Sequence, residues 1–532
     1  MNADYIIKSD NIYISSNNPR FDGQIAVKDG KICFLGKNAA EWKGTDTKEY
    51  EFTGKTVCPG FIDSHTHVLL GALQGFYANL NDCQSEEDAV RKLYEEGRES
   101  ANNGWIFGFG WTYHRWREKK PPTKSSLDKF FKDVPVALMN EELHSMWVNS
   151  KALEICEISR DTPDVLSGRI ERDKTGNPTG YLIEFEAMKK ITNKAFDFSQ
   201  DYLAKVTKGF LTQCAQYGIT GISDIQYLYP DMAPMYMELE KHGSLSVKIN
   251  LSYPLDSGID KARRQREKYT TDLVSINSVK AFLDGTLACG NGYLLDPYCN
   301  VPGFCSVPLL NLDYLTEEII KATKNSFQVR LHACGDGAVH LALDAYEAAA
   351  KVVDIKPLRH TVEHIEVVAE DDIKRFGELR VIPSVQPEHM FWSSLDSHPF
   401  IQLLGENRCN FTWSFQSLLK QNGYCGFGTD YPVVGLNPFE GIHRAVYRQM
   451  NDGLPPAGWN PEQRLSLVEA IHCYTLGSAM ELHVEATCGS LDCGKAADLV
   501  VLDRNIFDCQ GNELKETKTL LTMIDGRIVY VV

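Results

Sequence analysis

Eight short apolar runs, each separated from the next by a stretch that has room for helix, constrain this chain more than any other feature. They are TVCPGFIDSHTH (56–67), GITGISDI (218–225), SVKINLSYPL (246–255), SINSVKAFLDG (275–285), FQVRLHACGD (327–336), RHTVEHIEVV (359–368), RVIPSVQPEHM (380–390) and YCGFGTDYPV (424–433). Strand-like runs alternating with helical periodicity predict βα units on a parallel sheet, and eight of them predict a (β/α)₈ TIM-like barrel of the α/β class. The stretch between residues 67 and 218 is far longer than a crossover helix needs, so a separate lobe is expected at about 80–200. An insertion after a barrel strand lands on the active-site face, and the aromatic and turn-rich runs GWIFGFGWTYHRW and RIERDKTGNPTGYL suit a lid or pocket wall.

The two ends of the chain read differently. IAVKDGKICFLG sets Asp29-Gly30 between alternating runs, and LLTMIDGRIVYVV does the same with Asp525-Gly526. Asp-Gly between alternating strands signals a two-residue hairpin turn, because both central positions need positive φ. Residues 1–58 and 485–532 are therefore expected to form one small β-sandwich around a barrel at 59–484.

The formal charge of −16 argues against nucleic acid or an anionic membrane surface as partner, since both attract basic patches, and a small-molecule substrate fits better. The opening segment has no leader character and no 18-residue apolar run follows, which reads as cytoplasmic. Fifteen scattered cysteines without a CxxC pair read as reduced thiols, with Cys58, Cys289 and Cys334 as small buried hydrophobes. Homo-oligomer formation is compatible with all of this.

His65 and His67 are separated by one residue, so on a strand both side chains face the same way and can grip one ion. With 14 histidines in 532 residues, chance supplies about 0.4 such pairs, so the context carries the weight: the pair ends an apolar run that also holds Asp63. His332, His364 and Asp430 fall at the ends of later runs, where a barrel places its reactive groups. Each alone reads as a hydrogen-bonded structural residue or a turn. Together, four imidazoles and a carboxylate favour one or two divalent ions, with zinc leading for nitrogen-rich ligation. Lys280 is the exception, because an ammonium would be repelled by a bound cation. It either makes a salt bridge to Asp284 or Asp296, or has reacted with carbon dioxide to give an anionic carbamate; the residues alone leave both open.

VCPGFIDSHTH resembles the first-strand signature of the metal-dependent amidohydrolase superfamily. VKAFLDGTL, HACGDGA, EHIE, SVQPEH and GTDYPV resemble the later strand motifs of amidohydrolase family 3, the branch that includes N-substituted formamide deformylase. GWTYHRW, ELHSMWVNS, GRIERDKTGNPTGYLIE, RLSLVEAIHCYT and GSLDCGKAADLVVLD extend the likeness to the C-terminus.

The resemblance implies His65 and His67 on one metal, Lys280 as bridging carbamate, His332 and His364 on a second metal, and Asp430 at the eighth strand as metal ligand and as general base turned general acid. His389 would orient or stabilise the substrate carbonyl; read alone it is a capping residue. His144 is expected to reach the pocket from the insertion, with Trp111 and Asp284 as further substrate-pocket candidates. Glu184 is placed there by the GYLIE segment, whereas read alone it is a solvated acid at a strand end. The implied function is hydrolysis of a non-peptide amide, formamide or related carbon–nitrogen bond.

Two departures bear on substrate. Ala288-Cys289-Gly290-Asn291-Gly292 stands where many relatives read Gly-Ser-Arg-Thr-Ala, removing an arginine, and Glu142-Leu143 stands where relatives carry Asp-Gly. The competing readings are hydrolytic deamination on the same scaffold, disfavoured because position 335 is Gly where such deaminases carry Glu, and a non-catalytic metal-binding sensor.

Overall fold

The computed structural model of the 532-residue chain describes residues 2–16, 20–97, 103–165, 168–227, 230–390 and 399–532. Eight parallel strands form the central sheet: β1 (Phe61–Thr66), β2 (Ile219–Ile225), β3 (Lys248–Pro254), β4 (Val274–Phe282), β5 (Gln328–Ala333), β6 (Thr361–His364), β7 (Ile382–Val385) and β8 (Gly426–Phe427). They pair in sequence order from β1 to β8. The sheet nearly closes on itself just beyond β8, where Thr66 and Tyr431 form a parallel bridge. Two backbone bonds flank it, Asp430 N–H to His65 O at 2.7 Å and His67 N–H to Tyr431 O at 2.9 Å. Each apolar run of the sequence thus supplies one strand of a TIM-like barrel.

The run at 56–67 is broken in two. Thr56–Pro59 belongs to a different sheet, pairing with Leu499–Leu502 and with the end of Tyr5–Ile12, and only the part beyond Gly60 enters the barrel. Gly60 has no side chain for a packing reason: a Cβ there would run into Thr220 of β2.

Strands from both ends of the chain make one eight-stranded sheet. Both expected hairpins are present, Phe21–Lys28 with Lys31–Gly36 and Thr519–Ile524 with Arg527–Val531. Their turns have positive φ at both central residues, 48° and 79° at Asp29-Gly30 and 47° and 70° at Asp525-Gly526, the conformation that matches strand twist. Ile7, Ile25 and Ile32 from one end share an apolar core with Leu499, Val501 and Leu521 from the other.

Between β1 and β2 lies a second, six-stranded sheet, running from Ala78–Asn79 to Pro178–Ile183. Its aromatic core gathers Trp111, Trp116, Trp147 and Tyr181. Among the described residues no helix is long and apolar enough to cross a membrane. None of the fifteen cysteines is in a disulfide.

Candidate active site

Four imidazoles meet at one carboxylate. Asp430 lies just past β8, and its oxygens stand 3.1 Å from His67 Nε2, 3.3 Å from His65 Nε2, 3.5 Å from His389 Nε2 and 3.9 Å from His364 Nδ1. His332 joins the row through His364, their ring centroids 4.4 Å apart, and His144 of the insertion stands 5.9 Å beyond His332. All are buried or nearly so, and all but His144 lie at the C-terminal ends of the barrel strands or on segments just beyond them.

Backbone geometry explains how so many groups share one point. On β1, alternation sends His65 and His67 to the same face. On β6, Glu363 and His364 are adjacent and alternation would part them. His364 and Ile365 instead take left-handed conformations, φ 73° and 50°, and both side chains face the centre, with His65 Nδ1 3.4 Å from Glu363 Oε1 and its ring centroid 4.9 Å from that of His364. Asp430 (φ 59°) and Glu184 (φ 65°) are also left-handed; such conformations cost free energy in non-glycine residues and cluster at functional sites. Asp63 steadies Asp430 from below, accepting bonds from Thr429 N–H (2.9 Å), Thr429 Oγ1 (2.6 Å) and His65 N–H (3.2 Å).

The protonation pattern suits metal ligation. His67 Nδ1 is 3.0 Å from the Ile225 carbonyl, which can only accept, so that nitrogen carries a hydrogen and Nε2 is the nitrogen turned to Asp430. Burial, reinforced by Lys280 for His65 and by Lys280 and His144 for His332, holds those imidazoles well below their ordinary pKa. His364 behaves alike, through burial and then His332. They are neutral, the form that binds metal. Burial would raise Asp430, but the hydrogen bond and charge of His67 outweigh it and hold the carboxyl below the ordinary range. The ring nitrogens of His65 and His364, neutral here, and the carboxylate of Asp430 present lone pairs to one another at these distances. His65 Nδ1, His364 Nδ1, His389 Nε2 and Asp430 Oδ1 are buried with no hydrogen-bond partner among the described residues. The sets His65, His67, Asp430 and His364, His389, Asp430 each bring their donor atoms within 4.8 Å of one another. A divalent cation is the species that satisfies such atoms, and the donor set fits one.

Lys280, on β4, pairs with neither Asp284 nor Asp296. Its Nζ meets Glu363 Oε2. Burial, with Arg330 nearby, drives Lys280 well below the usual lysine pKa, so the ammonium is disfavoured here. Arg330 fills the layer beneath: its guanidinium bonds Glu363 Oε1 (2.7 Å), Glu481 Oε1 (2.8 Å), Ser223 Oγ (2.9 Å) and the Ser64 carbonyl (2.7 Å), all fully buried.

Asp284 does not reach a pocket. Its carboxylate accepts N–H bonds from Tyr293 (3.0 Å), Cys334 (3.0 Å) and Gly335 (2.8 Å), holding the loop after β4, and stands 3.6 Å from His332 Nε2, but it lines neither of the two cavities beside the cluster. Glu184 is not a solvated acid: it is 7% exposed and accepts from His144 Nδ1 and Asn291 Nδ2, both at 2.9 Å. Gly285 makes room for it, since a Cβ there would stand 2.8 Å from Glu184 Oε1. Cys289, expected buried, is exposed, with its thiol 2.9 Å from Glu142 Oε2, while Cys58 and Cys334 are buried as expected. His389 stands behind Asp430, its other nitrogen 3.5 Å from Glu366 Oε1.

Two cavities adjoin the cluster. One of about 30 Å³ is lined by His65, His67, His144, His332, His364 and Asp430. The other, about 370 Å³, lies between barrel and insertion and is bounded by Trp111, Tyr113, Tyr181, Glu184 and Cys289. Glu142 and His144 line both.

Sequence reading missed Arg330, Glu363 and Glu366. Arg330 was within reach, two residues before His332 on a strand of period two. Glu363 was not, because alternation predicts the opposite face from His364.

A barrel with a nitrogen-rich, carboxylate-centred cluster at its strand ends has the ligand composition of a divalent-metal centre. The sequence profile of the amidohydrolase family matches residues 49–530, and the chain belongs to that family. It is 29% identical to Protein LONG AFTER FAR-RED 3 of Arabidopsis thaliana, over 99% of this chain and 92% of that protein. It is 25% identical to N-substituted formamide deformylase of Arthrobacter pascens, over 95% of this chain and 94% of that protein. An uncharacterized metal-dependent hydrolase from Pyrococcus furiosus superposes with a TM-score of 0.75 at 25% identity, covering 95% of this chain and 100% of that one.

Proposed function

We propose that the protein is a metal-dependent hydrolase of non-peptide carbon–nitrogen bonds, acting on an amide, formamide or related small molecule. The observation that carries this is the convergence of His65, His67, His364 and His389 on Asp430, with buried nitrogen and oxygen atoms left without partners among the described residues. Its membership of the amidohydrolase family and its likeness to a formamide deformylase support the bond type.

His65, His67, His332, His364 and Asp430 would hold one or two divalent ions, zinc leading, with Lys280 as a further ligand if carboxylated. Bound there, such an ion lowers the pKa of water toward neutrality and polarises a carbonyl oxygen. The chain supplies the proton path. Asp430, kept ionised by its imidazole neighbours, accepts the water's proton at a carboxylate oxygen and returns it to the leaving nitrogen. His389, between Glu366 and Asp430, orients the carboxylate and can donate to the carbonyl oxygen as charge develops there. His144, held by Glu184, sits where the small cavity opens into the large one and positions the substrate.

The deaminase reading calls for a carboxylate at position 335. Gly335 caps the helix Asp336–Ala350, and any Cβ there would collide with the Tyr293 carbonyl, so this backbone has no room for one. A hydrolysis screen across N-acyl, N-formyl and cyclic amides, run with zinc, manganese and iron, tests the proposal. Metal-dependent release of an amine is expected. Stoichiometric metal with no turnover of any member would favour a sensor.

A further inference from the structure

We infer that the larger cavity selects substrates that carry a cationic group, an alkylammonium or guanidinium, on the part of the molecule remote from the scissile bond. This rests on the reading of the cluster as a hydrolase site and names its substrate class. Glu142 stands where the small cavity meets the large one, lining both. It forms no ion pair with any Lys or Arg among the described residues. Its partners are neutral donors, the Cys289 thiol at 2.9 Å and the Thr286 hydroxyl at 3.5 Å. The thiol is a weak donor and brings no positive charge in either protonation state.

Among the described residues, no Lys, Arg or His of the wall forms an ion pair with Glu142. The loop Ala288–Gly292 carries no cation. Arg169 borders the cavity, yet its guanidinium is turned to Glu171 at 2.8 Å and is largely exposed. His144 is matched by Glu184 at 2.9 Å. The wall therefore keeps one uncompensated negative charge beside a cluster of aromatic rings packed edge to face, with Tyr181 5.8 Å from Trp111 and 6.2 Å from Tyr113 between centroids. A carboxylate and ring faces in a recess are the two features that recognise an organic cation, through a charge-assisted hydrogen bond and cation–π attraction. An anionic group in the same place would meet Glu142 with like charge and no arginine to receive it.

The test is calorimetric titration of the full chain, metal-loaded and metal-stripped, at pH 7 with 2-phenylethylammonium and its neutral counterpart 2-phenylethanol. The ammonium is expected to bind at least about tenfold tighter than the alcohol in both preparations. Glu142→Gln should bring the two within about twofold, and Glu142→Asp should keep the ammonium ahead. Equal affinities, tighter binding of the alcohol, binding of neither compound, or a preference that survives Glu142→Gln would each overturn the inference. Amide turnover on the same preparation separates the two readings. Metal-dependent turnover without cation preference sinks only the substrate class, whereas cation preference without turnover sinks the hydrolase reading.

Discussion

The two ends of the barrel use the same residue types to opposite effect. At the N-terminal end, Lys248 opens β3 and bonds Asp498 at 2.7 Å and Asp525 at 2.8 Å, and His360, just before β6, accepts Val329 N–H at 2.9 Å and meets Thr323 Oγ1 at 3.1 Å. Their polar atoms are satisfied by the protein alone. At the C-terminal end, the imidazoles of His65, His364 and His389, and Asp430, keep buried atoms with no hydrogen-bond partner among the described residues, while Lys280 near the end of β4 meets Glu363. Burial lowers the Lys280 pKa far below normal, whereas the carboxylates around Lys248 outweigh burial and raise it. A lysine at the bottom is complete as an ion pair. The one at the top is in surroundings that reject the ammonium, and its neighbours are complete only with a further cation.

The largest effect expected from breaking this contrast is at Asp430. Asp430→Asn keeps the shape and a ligating oxygen but removes the proton acceptor, so metal content should persist while kcat falls by about 10²–10⁴-fold. Metal analysis beside steady-state kinetics checks it, and unchanged turnover would remove Asp430 from the proton path.

Next come the two lysines, compared directly. Lys280→Ala should lower metal affinity by about 100-fold or more and abolish activity, with partial rescue by a short carboxylic acid that replaces the carbamate. Full activity without rescue would mean that Lys280 serves only as a buried ion pair with Glu363. Lys248→Ala should leave turnover intact and cost about 1–3 kcal/mol in urea unfolding, because Asp498, 3% exposed at its side chain, loses its main partner.

The smallest effect is at His360, whose pKa burial lowers from 6.5 to about 3. A histidine with a depressed folded pKa contributes stability that is present above pH 6.5 and lost as pH falls toward 3, since the unfolded chain binds the proton first. At pH 5 the loss from this one group is about 2 kcal/mol relative to pH 7. His360→Asn should flatten the pH dependence of the unfolding free energy by that amount between pH 7 and 5, without altering metal content.

How much of this could be read from sequence follows from period and distance. The barrel was legible because each strand is a short apolar run, and His65, His67, His332 and Asp430 sit at run ends where a barrel exposes side chains. The Asp-Gly hairpins were legible because their turn chemistry is local. What escaped depended on backbone that breaks the period or on partners far apart in the chain. The left-handed residues at His364 and Ile365 bring Glu363 inward, Lys280 finds Glu363 rather than the nearby Asp284, and Asp284 turns to backbone amides of a loop more than 40 residues away in Cys334 and Gly335. Glu184 and Cys289 were misjudged in exposure for the same reason, since only the docking of the insertion on the barrel decides what covers them.

The central claim is that the upper cluster is a cation site, and the metal content of the purified chain tests it most directly. Elemental analysis by mass spectrometry, paired with His65→Asn/His67→Asn, should find one or two equivalents of a divalent metal in the natural chain and a loss of at least one in the double variant. A natural chain that holds no stoichiometric divalent metal after purification and reconstitution, yet is folded, would contradict the account.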